Sequence, residues 1–201
     1  LDGVSPINDQ NRALREALET ELASRGLELP VLWGNRNWDP YVTDVVRQAH
    51  EDGHRLLLAI PTSAYSSYSG CRQYREDFGM ALEELDLVGE VHIDRLRACF
   101  NTEGFLAPKL EGAIAGVREL LNQGRQTSEL VVMYSTHSIP DVMADASGPE
   151  DTRVQQSGGW YVAQHQAAID WVHQRLEDEI GATLERQFVF QSRSGSPKQP
   201  W

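Results

Sequence analysis

Residues 129–140 read ELVVMYSTHSIP, an apolar run over 129–134 that breaks into hydroxyls, a histidine and a proline. A continuous run of that length, rich in β-branched side chains, is the pattern of a strand in a parallel sheet covered on both faces. The same grammar recurs on either side. Residues 27–33 and 55–60 (RLLLAI) are apolar runs, the second stopped by Pro61, while 90–93 is a shorter one and 187–191 the last. Between them the spacing changes to that of helices. Residues 6–25 carry Ile7, Leu14, Leu18 and Leu22, with Ser5-Pro6 as a start and Gly26 as a stop. Residues 41–50 follow Asp39-Pro40, and a further helix spans 71–85. Residues 105–122 place Leu106, Leu110, Ile114, Val117 and Leu121 on one face, and Tyr161, His165, Ile169, Val172 and Leu176 mark a long helix. Strands alternating with helices predict a doubly wound α/β fold with right-handed crossovers.

Such folds bind ligands beyond the carboxyl ends of their strands. The polar, aromatic and glycine-rich stretches here all follow strands: GNRNWDPY (34–41), PTSAYSSYSG (61–70), STHSIP (135–140) and QSRSGSPKQPW (191–201). Four loops of this kind are expected to converge on one edge.

Composition narrows the classes of function. With 201 residues, 40% hydrophobic and 24% charged, the chain is that of an ordinary globular protein. A net charge of −12 argues against a nucleic-acid surface, which needs clustered Lys and Arg. Only two cysteines are present, Cys71 and Cys99, outside any CxxC spacing, which predicts no structural zinc site and fits a reducing, cytoplasmic setting. No apolar run approaches the ~18 residues of a membrane span, so no integral membrane segment is expected, and peripheral membrane association stays open. The start at Leu1 and the stop at Trp201 read as the ends of a fragment.

Among candidate residues, His137 stands first: an imidazole just past a strand can ligate a metal or accept a proton near neutral pH. A loop histidine satisfied by Ser135, Thr136 and Ser138 is the plainer alternative. His50, His54 and His92 have little to recommend them, and His165 and His173 on the long helix are read as packing or surface residues. Loop 61–70 carries Thr62, Ser63, Tyr65, Ser66, Ser67, Tyr68 and Ser69. It can hydrogen-bond carboxylates while its rings pack on a flat ligand, or be a solvated turn. Trp33 and Trp38 could line an aromatic pocket or belong to the core. No P-loop, GxGxxG, GxSxG or HExxH motif appears.

Several stretches together resemble the ferrochelatases: GVSPIN (3–8), GNRNWDPYV (34–42), PTSAYSSYSGCRQYRE (61–76), YSTHSIP (134–140) and FQSRSGSPKQPW (190–201). They run along the whole chain in family order, and 61–76 is most similar to the actinobacterial branch, whose members act on coproporphyrin III. The resemblance implies a lyase of haem biosynthesis that inserts Fe2+ into a porphyrin held between two similar Rossmann-like domains. Residues 1–127 would be the first domain without its first strand, and 128–201 the start of the second. It implies that His137 binds the incoming metal or takes pyrrole protons. It further implies that Ser5 contacts a propionate and that Ser63, Ser66, Ser69 and Tyr74 line the porphyrin edge. The family's catalytic carboxylate would lie beyond Trp201, so this chain alone is expected to be inactive. Actinobacterial relatives often hold an iron–sulfur cluster, but Ser147 stands where one cysteine ligand would be, so no cluster ligand is expected here. The partners implied are the porphyrin and contacts with other haem-pathway enzymes. The rivals are another tetrapyrrole chelatase, of the cobalt type, and a non-catalytic tetrapyrrole carrier on the same fold.

Overall fold

The computed structural model describes residues 5–148, 158–193 and 198–201. The chain packs as two units, one of residues up to Ala59 together with Arg75–Arg95, the other of Ile60–Tyr74 together with residues from Leu96 on. It is a mixed α/β architecture in which small parallel sheets carry helices.

In the first unit, α1 (Ile7–Ser24), α2 (Val42–Glu51) and α3 (Gln73–Glu84, from Arg75) accompany β1 (Leu56–Ala59) and β2 (His92–Arg95). The two strands pair in parallel, Leu56 opposite His92 and Ala59 opposite Arg95. The core is Val46, Leu87 and Val91, with Val42, Leu57, Leu82, Leu85 and Ile93 packed on it. Leu57 points inward while Leu56 and Leu58 are exposed on the other face. The expectation of a strand covered on both faces therefore fails for β1 within this chain. The strand expected over 27–33 is also absent: that stretch is irregular, with Leu27, Leu29 and Leu32 exposed. Its apolar composition suits a strand, but a strand exists only as part of a ladder, and no described residue pairs with it. In loop 34–41 the Arg36 guanidinium instead makes a half-buried ion pair with Asp77 of α3.

The second unit contains α4 (Glu103–Asn122), β3 (Val131–His137), the short α5 (Asp141–Asp145), α6 (Gly159–Ile180) and β4 (Glu185–Gln191). β3 and β4 pair in parallel over seven positions, from Val131 opposite Glu185 to His137 opposite Gln191. α6 ends because Gly181 adopts the left-handed conformation (φ +74°) and its N–H closes on the Glu177 carbonyl at 2.8 Å. Leu176 of α6, fully buried, packs with Val117 of α4, Leu130 and Leu184. A second cluster joins Leu106 of α4 to Ala168 and Val172 of α6, flanked by Tyr65, Phe105 and Tyr134. Each large apolar side chain removed from water this way contributes about 1.5–3 kcal/mol. β3 alternates strictly, with Val131 and Met133 exposed and Val132 and Tyr134 turned toward the helices. It also runs three residues further than the apolar run 129–134, because β4 extends the ladder to Gln191. His137 is thus the last residue of the strand rather than part of the loop after it.

Candidate active site

The alternation along β3 sends Thr136 toward α6 and leaves His137 exposed. On α6, Tyr161, Gln164 and His165 stand at i, i+3 and i+4, which places them on one face, and all three are buried. Thr136 Oγ1 lies 2.9 Å from His165 Nε2 and 3.0 Å from Tyr161 Oη. The Tyr161 hydroxyl donates to the His137 carbonyl at 2.8 Å, and His165 Nδ1 lies 2.7 Å from the Tyr161 carbonyl. On the following residue, the Ser138 N–H donates to the Gln191 carbonyl at 2.7 Å. The peptide joining His137 to Ser138 is therefore held at both its polar groups.

The His137 ring has its own fixed orientation. Its Nδ1 closes on the Ser138 carbonyl. A carbonyl can only accept, so Nδ1 carries a hydrogen, and in the neutral tautomer this leaves the lone pair on Nε2. An exposed imidazole with a bare nitrogen at a strand end can ligate a borderline metal ion or take a proton.

Loop 61–70 docks on the same face of α6. The Ser66 N–H donates to Gln164 Oε1 at 2.7 Å and Gln164 Nε2 donates to Ser66 Oγ at 2.8 Å, a reciprocal pair buried in the unit. The Tyr65 ring stacks on His165 (centroids 3.5 Å apart, planes 15° from parallel) and meets Phe105 edge-on. The chain then enters a single wide π turn, Tyr68–Arg72, before α3; Ser67 Oγ accepts the Gly70 N–H there at 2.9 Å. Ser63 Oγ donates weakly to the Tyr65 carbonyl at 3.3 Å.

Burial tunes these groups. It pushes the Tyr65 phenol up to about 12, with the neighbouring Tyr161 and Cys99 adding to the shift. It also raises Tyr161, against a smaller lowering by the Thr136 hydrogen bond. It lowers His165 below its ordinary value, partly opposed by the bond to the Tyr161 carbonyl. At neutral pH both phenols keep their protons and the His165 ring is uncharged.

The candidates read from sequence fall into three groups. His137 and Ser66 each bond to α6, through Tyr161 and Gln164 respectively, and Ser63 belongs to the same loop as Ser66. Ser69 is exposed at the turn, its Oγ 3.3 Å from Ser67 Oγ, and Tyr74 is half-buried in the first turn of α3. Ser5 lies in the other unit, exposed, its Oγ 3.4 Å from the Ile7 N–H at the start of α1. Trp38 is largely exposed, while Trp33 is half-buried beside the Arg12 guanidinium. Of the histidines given little weight, His165, open between packing and surface, is buried and sits in the hydrogen-bond network next to His137. His173, open to the same two readings, is buried between the Tyr134 hydroxyl and the Leu184 carbonyl. Tyr161, Gln164 and His165 form a site that no sequence motif marks. A polar trio at helical spacing on a largely apolar face was the available signal.

Ser147, where a cluster cysteine would stand, donates to the Ala144 carbonyl at 2.8 Å. A hydroxyl engaged this way does not supply the thiolate that an iron–sulfur cluster needs. Cys71 and Cys99 are half-buried and form no disulfide.

The ferrochelatase family model matches residues 1–201. The chain is 49% identical over 206 aligned residues to the coproporphyrin III ferrochelatase of Leifsonia xyli, covering 99% of this chain and 52% of that protein. It is 46% identical over 201 residues to the coproporphyrin III ferrochelatase of Tropheryma whipplei (100% and 51%). It is 39% identical over 199 residues to the ferrochelatase of Rhodopirellula baltica (99% and 51%). The chain spans about half the length of the curated relatives it matches. Since the family model matches the chain from end to end, the chain belongs to the ferrochelatase family.

Proposed function

We propose that this chain carries the metal-handling half of an enzyme that inserts Fe2+ into coproporphyrin III in haem biosynthesis, with His137 at the reacting centre. The observation that carries the reading is the exposed imidazole of His137 at the end of β3, its Nδ1 engaged by the Ser138 carbonyl. Two of the relatives named above are coproporphyrin III ferrochelatases, which favours that porphyrin over protoporphyrin IX.

Insertion of a divalent ion releases two pyrrole protons, so the reaction needs proton acceptors near the ring as well as a ligand that strips water from the metal. His137 Nε2 can serve as the metal's entry ligand or take one of those protons. A further acceptor takes the second. Ser66, Ser63, Ser69 and Tyr74 would face the porphyrin edge, and Ser5 a propionate. Fe2+ enters as substrate, and no step runs through an iron–sulfur cluster.

The division at residue 127 is part of the same proposal. A parallel strand pair stands on each side of it, β1 with β2 and β3 with β4, while α4, which precedes it, packs in the unit that follows it. This fits two similar domains, of which 128–201 opens the second. No described helix is long and apolar enough to cross a membrane. A cytoplasmic enzyme, free to meet membrane surfaces and other haem-pathway enzymes peripherally, fits that observation.

The test is zinc insertion into coproporphyrin III by the full-length protein, read by fluorescence, with protoporphyrin IX alongside. Turnover that favours coproporphyrin III supports the reading. Porphyrin binding without insertion would leave a tetrapyrrole carrier, and turnover with cobalt but not iron would point to the other chelatase.

A further inference from the structure

His137 is the last residue of β3, where the strand ladder itself ends. A group that must meet an ion at a defined point needs its backbone fixed from elsewhere, and the face of α6 supplies that.

The hydrogens can be placed one by one. His165 Nδ1 faces the Tyr161 carbonyl, so it carries the ring hydrogen. In the neutral ring Nε2 is then bare and takes the Thr136 hydroxyl proton at 2.9 Å. With its proton spent, Thr136 Oγ1 can only accept, and the Tyr161 phenol faces it at 3.0 Å and the His137 carbonyl at 2.8 Å. The phenol's single proton is shared between those two acceptors. The circuit leaves from Tyr161 and returns to Tyr161, every donor in it is used, and its one outlet is the backbone of His137. The Gln191 carbonyl holds the adjoining N–H of Ser138 from β4.

We propose that Tyr161 and His165, acting through Thr136, are positioning residues that fix the backbone of His137 and so aim its Nε2. The proposal rests on the reading of His137 as the metal-handling residue. None of the three needs to touch metal or porphyrin. The Tyr65 ring stacked on His165 and the Ser66–Gln164 pair tie the hydroxyl loop to the same helix face, so that loop and histidine share one frame.

The test uses the full-length protein and zinc insertion into coproporphyrin III. Tyr161→Phe removes only the hydroxyl and keeps the ring. A reacting group displaced by ~1 Å costs about 100-fold, so kcat is expected to fall by roughly 10- to 100-fold with the porphyrin KM unchanged. Thr136→Val breaks the same circuit from the strand side and should give a similar loss, with Thr136→Ser recovering most of it. The double variant Tyr161→Phe/Thr136→Val should be no worse than the more damaged single, since the groups act as a unit. A merely structural role would lower the unfolding midpoint while leaving kcat per folded molecule intact, and that result overturns the proposal. If wild type turns over, His137→Ala does not, and Tyr161→Phe matches wild type, the positioning role fails while the reading of His137 survives. A wild-type protein that binds porphyrin and never inserts metal sinks both.

Discussion

Gly70 is the tightest point of the hydroxyl loop, and Gly70→Ala tests how firmly that loop is built. A Cβ at Gly70 would sit 2.4 Å from Ser63 Oγ, 2.9 Å from Ser67 Oγ and 3.1 Å from the Tyr65 carbonyl oxygen. Ordinary contact begins at 3.4 Å, so these are overlaps of about 1, 0.5 and 0.3 Å. The backbone at Gly70 is not left-handed, so the whole cost is steric. Ser63 can rotate, giving up its weak bond to the Tyr65 carbonyl. Ser67 cannot move so cheaply, because its hydroxyl accepts the Gly70 N–H that opens the π turn, and a lost cap of this kind costs ~1 kcal/mol. The Tyr65 carbonyl moves only with the loop, and overpacking costs typically 1–3 kcal/mol. Together these give about 2–4 kcal/mol, or a fall in the thermal midpoint of roughly 4–8 °C at about 2 °C per kcal/mol for a chain of this size or larger. Differential scanning calorimetry on the full-length protein reads the shift, and a fluorescence assay should show a raised porphyrin KM. Gly116→Ala in α4 is the internal control: a Cβ there meets nothing within 4 Å, and Ala in a helix interior stabilises by about 0.5–1 kcal/mol over Gly. A Gly70→Ala protein as stable as wild type, or one that gains stability as Gly116→Ala does, would refute this packing of the loop.

Other perturbations have expected outcomes as definite. Leu176→Ala, at a fully buried site between α4 and the β3–β4 sheet, should cost about 2–5 kcal/mol in urea unfolding, since the surroundings collapse only partly. Gln164→Leu leaves the buried Ser66 N–H without its acceptor and should cost ~1–3 kcal/mol while raising the porphyrin KM. His165 makes stability sensitive to acid. Its pKa is lowered on folding, so below the ordinary 6.5 the unfolded chain binds the proton first and stability falls as pH drops through 6.5 toward the folded value. His165→Gln should flatten urea midpoints measured in that window, and an unchanged slope would remove His165 as the cause.

The fold class was legible because strand and helix periods alternate clearly, and the helices fall close to where their apolar spacing put them. The stretch 27–33 was misread for a physical reason: its residues suit a strand, but pairing is a long-range property that composition does not report. The exposed faces of β1 and β3 were hidden for the same reason. His137 was legible because a histidine among hydroxyls just past an apolar run is locally conspicuous. The network behind it was not. Tyr161 reaches His137 across 24 positions, and Gln164 reaches Ser66 across 98. Helical spacing shows that 161, 164 and 165 share a face, yet it does not say what that face meets. The roles of Ser5, Ser63, Ser69 and Tyr74 rest on the resemblance and stay proposals.

The most direct test compares wild type with His137→Ala in the full-length protein, measuring coproporphyrin III binding and metal insertion side by side. The expectation is that the variant binds porphyrin as wild type does and loses insertion by at least about 100-fold, the scale of a removed proton acceptor or metal ligand. Insertion that continues undiminished in His137→Ala would contradict it, and the reacting centre would have to be sought elsewhere.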